Sequence, residues 1–270
     1  MKIGITGCAG RMGQMLVREV LLTDDCTLAG GTERPGHTAL GQDVAQTAGL
    51  AACGLAISDN SEALFAASDA VIDFTIAEVT ESHARFTKKY GTNLILGTTG
   101  HDGSQMASIE AAAACAPIVK AMNFSVGVNV LFALTKQLAG ALDENFDIEI
   151  VEMHHKHKVD APSGTALGLA QAAADGREVD LNHVIDRGRD GITGERRRGQ
   201  IGLAALRGGD VVGEHDVIFA GPSERIKISH IAASREIFAR GAVRAALWSA
   251  HVTPGLYSML DVLDFSDGDA

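Results

Sequence analysis

A chain of 270 residues that is 46% hydrophobic and 21% charged has the balance of one large folded domain or two joined ones, which excludes disorder as its main state. Its 34 acidic residues against 23 basic ones leave a formal net charge of −11, which argues against nucleic acid or an anionic membrane as a partner for the whole surface. An anionic ligand must therefore be met by a local concentration of positive charge, and no apolar run approaches the about 18 residues that a membrane helix needs.

The opening Met1-Lys2-Ile3-Gly4-Ile5 is expected to enter a strand at once, with no room for a signal peptide. Strands are expected over 2–6, 27–32, 70–75, 93–98 and 117–121, each apolar enough for burial on both faces, with helices over 11–22, 78–90 and 103–114. Strand and helix alternating in this way imply a parallel sheet with right-handed crossovers and helices on both faces. From residue 125 the pattern changes. A longer helix is expected over 125–142, a strand over 147–154 and an Ala/Leu-rich helix over 163–174. The polar stretch 175–200 reads as a long loop, and three closely spaced strands, 201–206, 211–219 and 225–231, are meander-like, which implies an α+β unit with a mixed or antiparallel sheet. A last helix over 234–249 is expected to pack back on the first unit. The four cysteines, Cys8, Cys26, Cys53 and Cys115, lack metal-ligand spacing and fit reduced thiols of a cytoplasmic protein.

The first strand runs into Gly7-Cys8-Ala9-Gly10-Arg11-Met12-Gly13 and then a helix. Glycines at such a turn let the backbone approach a pyrophosphate, whose charge the helix N-terminus favours; a tight turn with close helix–strand packing is the plainer reading. The spacing is G-x-x-G-x-x-G, a departure from the commoner G-x-G-x-x-G. At the end of the second strand stand Glu33 and Arg34. An acidic residue there suits the ribose hydroxyls of NAD and an arginine the 2′-phosphate of NADP, so the pair suggests tolerance of either, unless it is only a solvated ion pair. Gly97-Thr98-Thr99-Gly100 and Ala121-Met122-Asn123-Phe124 follow later strands, where loops line the ligand crevice of a parallel sheet, and could wall the nicotinamide half.

The most informative stretch is Glu152 to Ala166. Five of the ten residues from Glu152 to Ala161 are His or Lys, in an acidic chain. A metal site is one rival, weakened by two lysines that would repel a cation and by the lack of Cys or a clear carboxylate ligand; a solvated charged loop is another. The better account is an anion site with acid chemistry attached. Ser163-Gly164-Thr165 opens a helix whose N–H groups and Thr hydroxyl suit a carboxylate, His155 and Lys158 add charge, and His154 is suited to proton transfer near neutral pH.

These motifs, continued by Gly213-Glu214-His215 and Ser229-His230-x-Ala232, resemble the 4-hydroxy-tetrahydrodipicolinate reductase (dihydrodipicolinate reductase) family of lysine and diaminopimelate biosynthesis over essentially the whole chain. The resemblance implies an α/β fold: an N-terminal Rossmann-like parallel-sheet dinucleotide-binding domain (1–125 and 235–270) and a C-terminal α+β domain with a mixed sheet (126–234) for substrate binding and oligomerisation. It implies NADH- or NADPH-dependent reduction of a small cyclic dicarboxylate by a cytoplasmic homotetramer, with no nucleic-acid, membrane or metal partner. By motif position His154 would be the catalytic proton donor and acceptor and Lys158 a second proton donor. His155, Gly164 and Thr165 would bind substrate carboxylates. Gly7, Cys8, Ala9, Gly10, Arg11, Met12, Glu33, Arg34, Gly97, Thr98, Thr99, Ala121, Met122, Asn123 and Phe124 would bind the cofactor. The two domains are expected to close during turnover. Arg196-Arg197-Arg198 is more basic than the resemblance leads one to expect and has no assigned role. Two alternatives remain at this stage: a related reductase acting on another small acid, such as an aldehyde dehydrogenase, which would need a catalytic Cys; and a non-catalytic redox-sensing dinucleotide-binding protein, which would not need His154 and Lys158.

Overall fold

The computed structural model describes residues 1–265, in two compact units: Met1–Ser125 with the chain from Glu236 onward, and Val126–Arg235. The chain begins β1 (Lys2–Thr6), α1 (Arg11–Leu22), β2 (Thr27–Thr32), α2 (Val44–Thr47), α3 (Ser61–Ala67), β3 (Ala70–Asp73), α4 (Thr80–Tyr90), β4 (Asn93–Leu96), α5 (Gly103–Ala113) and β5 (Pro117–Lys120). It continues into the second unit through α6 (Val126–Ala141), β6 (Asp147–His154), α7 (Gly164–Gly176), α8 (Leu181–Val184), β7 (Ile185–Asp186), β8 (Ile201–Arg207), β9 (Gly213–Gly221) and β10 (Glu224–Ala232). It then returns to the first unit as α9 (Glu236–Ser249), β11 (Gly255–Tyr257) and α10 (Met259–Val262).

The first unit is a six-stranded parallel sheet in the order β11-β5-β4-β3-β1-β2. Its strands carry apolar side chains on both faces because helices cover both. Val71, Leu94 and Ile118 pack with Phe65, Ala84 and Ile109 from α3, α4 and α5. The alternate residues Ile72, Ile95 and Val119, equally buried, point the other way, toward the side where α1 and α9 pack together. Asn93 Nδ2 donates to the carbonyl of Ser249 at 3.0 Å and to its hydroxyl at 2.9 Å, fixing the end of α9 to β4. Helices α2 and α3 lie in a stretch without strong periodicity, and short loop-flanked helices of this kind leave little trace in a sequence.

The second unit is a mixed five-stranded sheet, β10-β9-β6-β8-β7, with β8 parallel and β9 antiparallel to β6. A mixed sheet was one of the two kinds expected, but the three late strands do not run side by side as a meander. β8 and β9 are consecutive in the chain but do not pair: β6 lies between them and pairs its backbone N–H and C=O groups on both edges, parallel to β8 and antiparallel to β9. The stretch 175–200 is mostly irregular, as expected, apart from α8 and the two-residue β7. Arg196 explains part of the basic run. It bonds Asp147 at 2.7 Å and Glu149 at 2.8 Å and donates to the carbonyls of Ile148 and Gln200, clamping the loop to β6.

The core of this unit joins Leu131 and Ala139 of α6, Leu169, Ala170 and Ala173 of α7, and Ile148, Ile150, Leu203, Val217 and Phe219 of the sheet. Along β6 the inward face reads Ile148, Ile150, Glu152, His154, all buried. Its first half lies in the apolar core; its second half is polar and ends beside the N-terminus of α7, whose cap Ser163 contacts Glu152.

Candidate active site

In the first unit, Gly7 takes φ +63°, and a Cβ on Gly13 would lie 2.0 Å from the Gly7 carbonyl oxygen, so the turn closes only with glycine at both places. Helix α1 begins at Gly10 without a side-chain cap, and its first closing bond runs from the Gln14 N–H to the Gly10 carbonyl. The amides of Arg11, Met12 and Gly13 precede that bond and carry the positive end of the helix dipole, with no acidic residue in the first turn to neutralise it. This turn fits a pyrophosphate.

Glu33 sits at the end of β2 with its carboxylate accepting the Ala9 N–H at 2.9 Å, so the two parts of the candidate dinucleotide site are bonded to each other. Arg34 beside it is exposed. Cys8 is fully buried and its thiol is pushed up to about 12 by burial and by Glu33, so it contributes backbone and packing rather than a thiolate. Among the later loops Thr98 is buried with an unpartnered hydroxyl, Thr99 is exposed, and Gly97 is half-buried. Ala121 donates its N–H to the Leu96 carbonyl, Met122 is 70% exposed, and the Asn123 side-chain Oδ1 accepts the Ser125 N–H. The Phe124 ring is buried in the protein, and its backbone carbonyl packs against Gly241 of α9.

In the second unit Glu152 and His154 stand two residues apart on the inward face of β6, which is how a strand brings alternate side chains together. The His154 Nδ1–H donates to Glu152 Oε2 at 2.6 Å, fixing the tautomer and leaving Nε2 for proton exchange. Arg207 grips the same carboxylate with two bonds of 2.8 Å, and the Ser163 N–H donates to it at 3.0 Å. Burial would raise the Glu152 carboxyl, but Arg207, His154 and Ser163 outweigh it and hold the group below the usual carboxylate range. The register β6–β8 sets His154 opposite Arg207, which makes this grip possible.

His215, opposite Glu152 in the β6–β9 register, has its ring edge-on to His154 with centroids 5.2 Å apart. Burial and the neighbouring His154 push it down to about 4, so it is neutral at physiological pH, with Nε2 3.3 Å from the Ser163 hydroxyl. Ser163 caps α7 by accepting the Ala166 N–H at 3.1 Å. Gly164 is exposed and Thr165 half-buried in the first turn of that helix. Lys158 pairs with Asp160 at 2.9 Å. His155 is half-buried, its Nε2 accepting from Arg235 at 3.3 Å, and burial followed by the Arg235 charge lowers its pKa.

The structure thus gathers Glu152, His154 and Ser163 of the basic segment with Arg207 and His215, to which the sequence reading gave no role. The i, i+2 spacing of Glu152 and His154 is a signal that a strand reading contains; Arg207 lies 55 residues from Glu152 and is found only through the β6–β8 pairing. Among the described residues no group of three or more His, Cys, Asp or Glu is placed to hold a metal ion, and no helix is long and apolar enough to cross a membrane.

A glycine-turn unit suited to a dinucleotide, joined in one chain to a unit with an oriented imidazole at a helix N-terminus, is the working plan of two-domain oxidoreductases that use a nicotinamide dinucleotide. Comparison with known proteins narrows the class. Residues 1–124 match the family model "Dihydrodipicolinate reductase, N-terminus" and residues 127–263 the model "Dihydrodipicolinate reductase, C-terminus". Curated proteins called 4-hydroxy-tetrahydrodipicolinate reductase are 53% identical in Roseobacter denitrificans (99% of this chain, 98% of that protein) and 55% identical in Ruegeria pomeroyi (97% of each). The chain belongs to the dihydrodipicolinate reductase family. In fold it is similar to a dipicolinate-bound dihydrodipicolinate reductase from Paenisporosarcina sp. TG-14, with a TM-score of 0.77 at 24% identity over 97% of this chain and 98% of the other.

Proposed function

We propose that this chain reduces 4-hydroxy-tetrahydrodipicolinate to tetrahydrodipicolinate in lysine and diaminopimelate biosynthesis, using NADH or NADPH, in the cytoplasm. The observation that carries the reading is the oriented His154, bonded through Nδ1 to a carboxylate that Arg207 holds, in a chain of this family. The amides of Arg11–Gly13 and the turn from Gly7 would hold the pyrophosphate, Glu33 the adenosine ribose, Arg34 a 2′-phosphate, and the 97–99 and 121–124 loops the nicotinamide end. When bound, the dinucleotide supplies the hydride.

The remaining chemistry belongs to the chain. His155 and the N–H groups of Gly164 and Thr165 bind the substrate's carboxylates, and the helix dipole of α7 adds to that attraction. His154 delivers a proton from Nε2, and its imidazolium is stabilised by Glu152, whose carboxylate is already ionised. Lys158, tethered by Asp160, protonates the departing 4-hydroxyl, which leaves as water, and the proton lost from the neighbouring ring carbon restores it, so that the reduction takes up one net proton with the hydride. Neutral His215 adds no charge that would disfavour protonated His154. Mixing NADH or NADPH with freshly made substrate and following the reduced-nicotinamide absorbance tests the reading; oxidation of neither cofactor would reject it. The Arg34→Ala variant is expected to weaken NADPH binding roughly ten-fold more than NADH binding, the scale of a charge-assisted contact; equal losses would show that Arg34 does not meet the 2′-phosphate.

The second unit is also proposed to build a homotetramer. Support comes from the outer face of its sheet, where the register lines up Leu206, Met153, Glu214 and Ile231 across β8, β6, β9 and β10, with Leu206 50% and Ile231 70% exposed. Light scattering in solution measures the assembly directly, and a monomer would exclude it.

A further inference from the structure

The end of β3 carries a second buried histidine–carboxylate pair. Asp73 is 0% exposed and lies between Thr6 of β1 and Leu96 of β4 in the sheet register, so Gly7 and Gly97 follow the two strands that flank it. Its backbone carbonyl accepts the Gly97 N–H at 2.9 Å. One carboxylate oxygen accepts both the Thr75 N–H, at 2.9 Å, and the Thr75 hydroxyl, at 2.6 Å. The other meets Nδ1 of His83, on α4, at 2.6 Å.

The two residues held this way, Phe74 and Thr75, reach three of the segments assigned to the dinucleotide: the Gly7 turn, the Gly97 loop and the one ending at Phe124. A Cβ on Gly97 would lie 2.6 Å from the Phe74 ring, and one on Gly7 would lie 2.9 Å from the Thr75 methyl. The Phe74 ring is 5.2 Å from that of Phe124. Joining β3 to α4 does not by itself require charge, since an apolar contact would do so without desolvating a carboxylate. What the carboxylate adds is direction: it fixes the N–H and O–H of Thr75 together, and with them the surface on which two glycine loops rest.

We propose that Asp73 and His83 are positioning residues for the dinucleotide, acting through Phe74 and Thr75 to set the spacing between the Gly7 turn and the Gly97 loop. The inference rests on the reading that the first unit binds NADH or NADPH. It is tested on the full chain by titrating NADH calorimetrically and, separately, pyridine-2,6-dicarboxylate, a probe for the second unit. The variants Thr75→Val and His83→Leu are expected to weaken NADH binding roughly ten-fold, the scale of one lost hydrogen bond to a charged group, while dicarboxylate affinity stays unchanged. His83→Asn, whose amide N–H can stand in for Nδ1–H, is expected to recover most of the loss. Thr75→Val keeps the branched shape and decides the matter even where His83→Leu does not fold. Native NADH affinity in Thr75→Val overturns the proposal, as does an equal fall in NADH and dicarboxylate affinity, which marks a general loss of structure. Failure of the unaltered chain to bind either dinucleotide overturns this proposal together with the reading beneath it.

Discussion

The two buried pairs, Asp73–His83 in the first unit and Glu152–His154 in the second, have the same 2.6 Å contact through Nδ1 and lie at the ends of strands in sheets of different kind. Their surroundings separate them. Asp73 spends its remaining bonds on Thr75, a neighbour in the chain, so the pair orders a turn. Glu152 spends its bonds on Arg207 from another strand and on the N-terminus of α7, so the pair is tied to the cationic helix start where an anion is expected. A histidine–carboxylate contact therefore says little by itself; what the carboxylate's other lone pairs hold decides whether it orients a loop or a proton carrier.

The largest effect that separates the pairs is kinetic. His154→Gln is expected to lower kcat by roughly 10²–10⁴-fold with NADH affinity unchanged, the range for lost acid–base catalysis. Unchanged turnover would remove His154 from the chemistry and erase the distinction. Glu152→Gln comes next: it leaves Arg207 facing a neutral partner and is expected to lower stability by about 3 kcal/mol, the scale for a buried pair with one charge removed, as well as slowing turnover. Chemical denaturation measures the first effect. A loss no greater than for an exposed ion pair would show that the Arg207 grip is slack.

Lys158→Ala is expected to be milder, raising KM and lowering kcat together by roughly ten-fold overall, since its side chain is partly exposed and already paired. Unchanged kinetics would return Lys158 to the solvent-facing charges. The smallest effect is in pH dependence. His215 is depressed from 6.5 to about 4 in the folded chain, so between those values the unfolded state binds the extra proton. Stability therefore rises with pH across that window and falls on acidification from 6.5 toward 4. The variant His215→Asn is expected to flatten this part of the Tm profile, and an unchanged slope would show that His215 is not held neutral. Glu152, with its pKa lowered, contributes in the same direction only further down: its stabilisation is present above the ordinary carboxylate range and is lost as pH falls through the lowered value.

Much of the architecture was legible because its signals are local. The strand Asp147–His154 was found over its expected span, the helix Arg11–Leu22 stood out by the glycines before it, and the cationic stretch after Glu152 by contrast with an acidic chain. The strand order of the second sheet was not legible: residues 201–231 look like neighbours in sequence, yet β6 separates two of them and pairs its backbone on both edges. The arginine run was equally opaque, since the partners of Arg196 lie on β6, nearly 50 residues away.

Composition and spacing determined, without coordinates, that this chain pairs a parallel α/β unit with an α+β one and concentrates its imidazoles and ammonium groups before one helix, because periodicity, turn residues and charge density are properties of neighbouring residues. Only the tertiary structure decided which nitrogen of His154 is free, which arginine holds Glu152 and why His215 stays neutral. Those depend on strands brought side by side from distant parts of the chain and on burial, and neither is written in the order of residues.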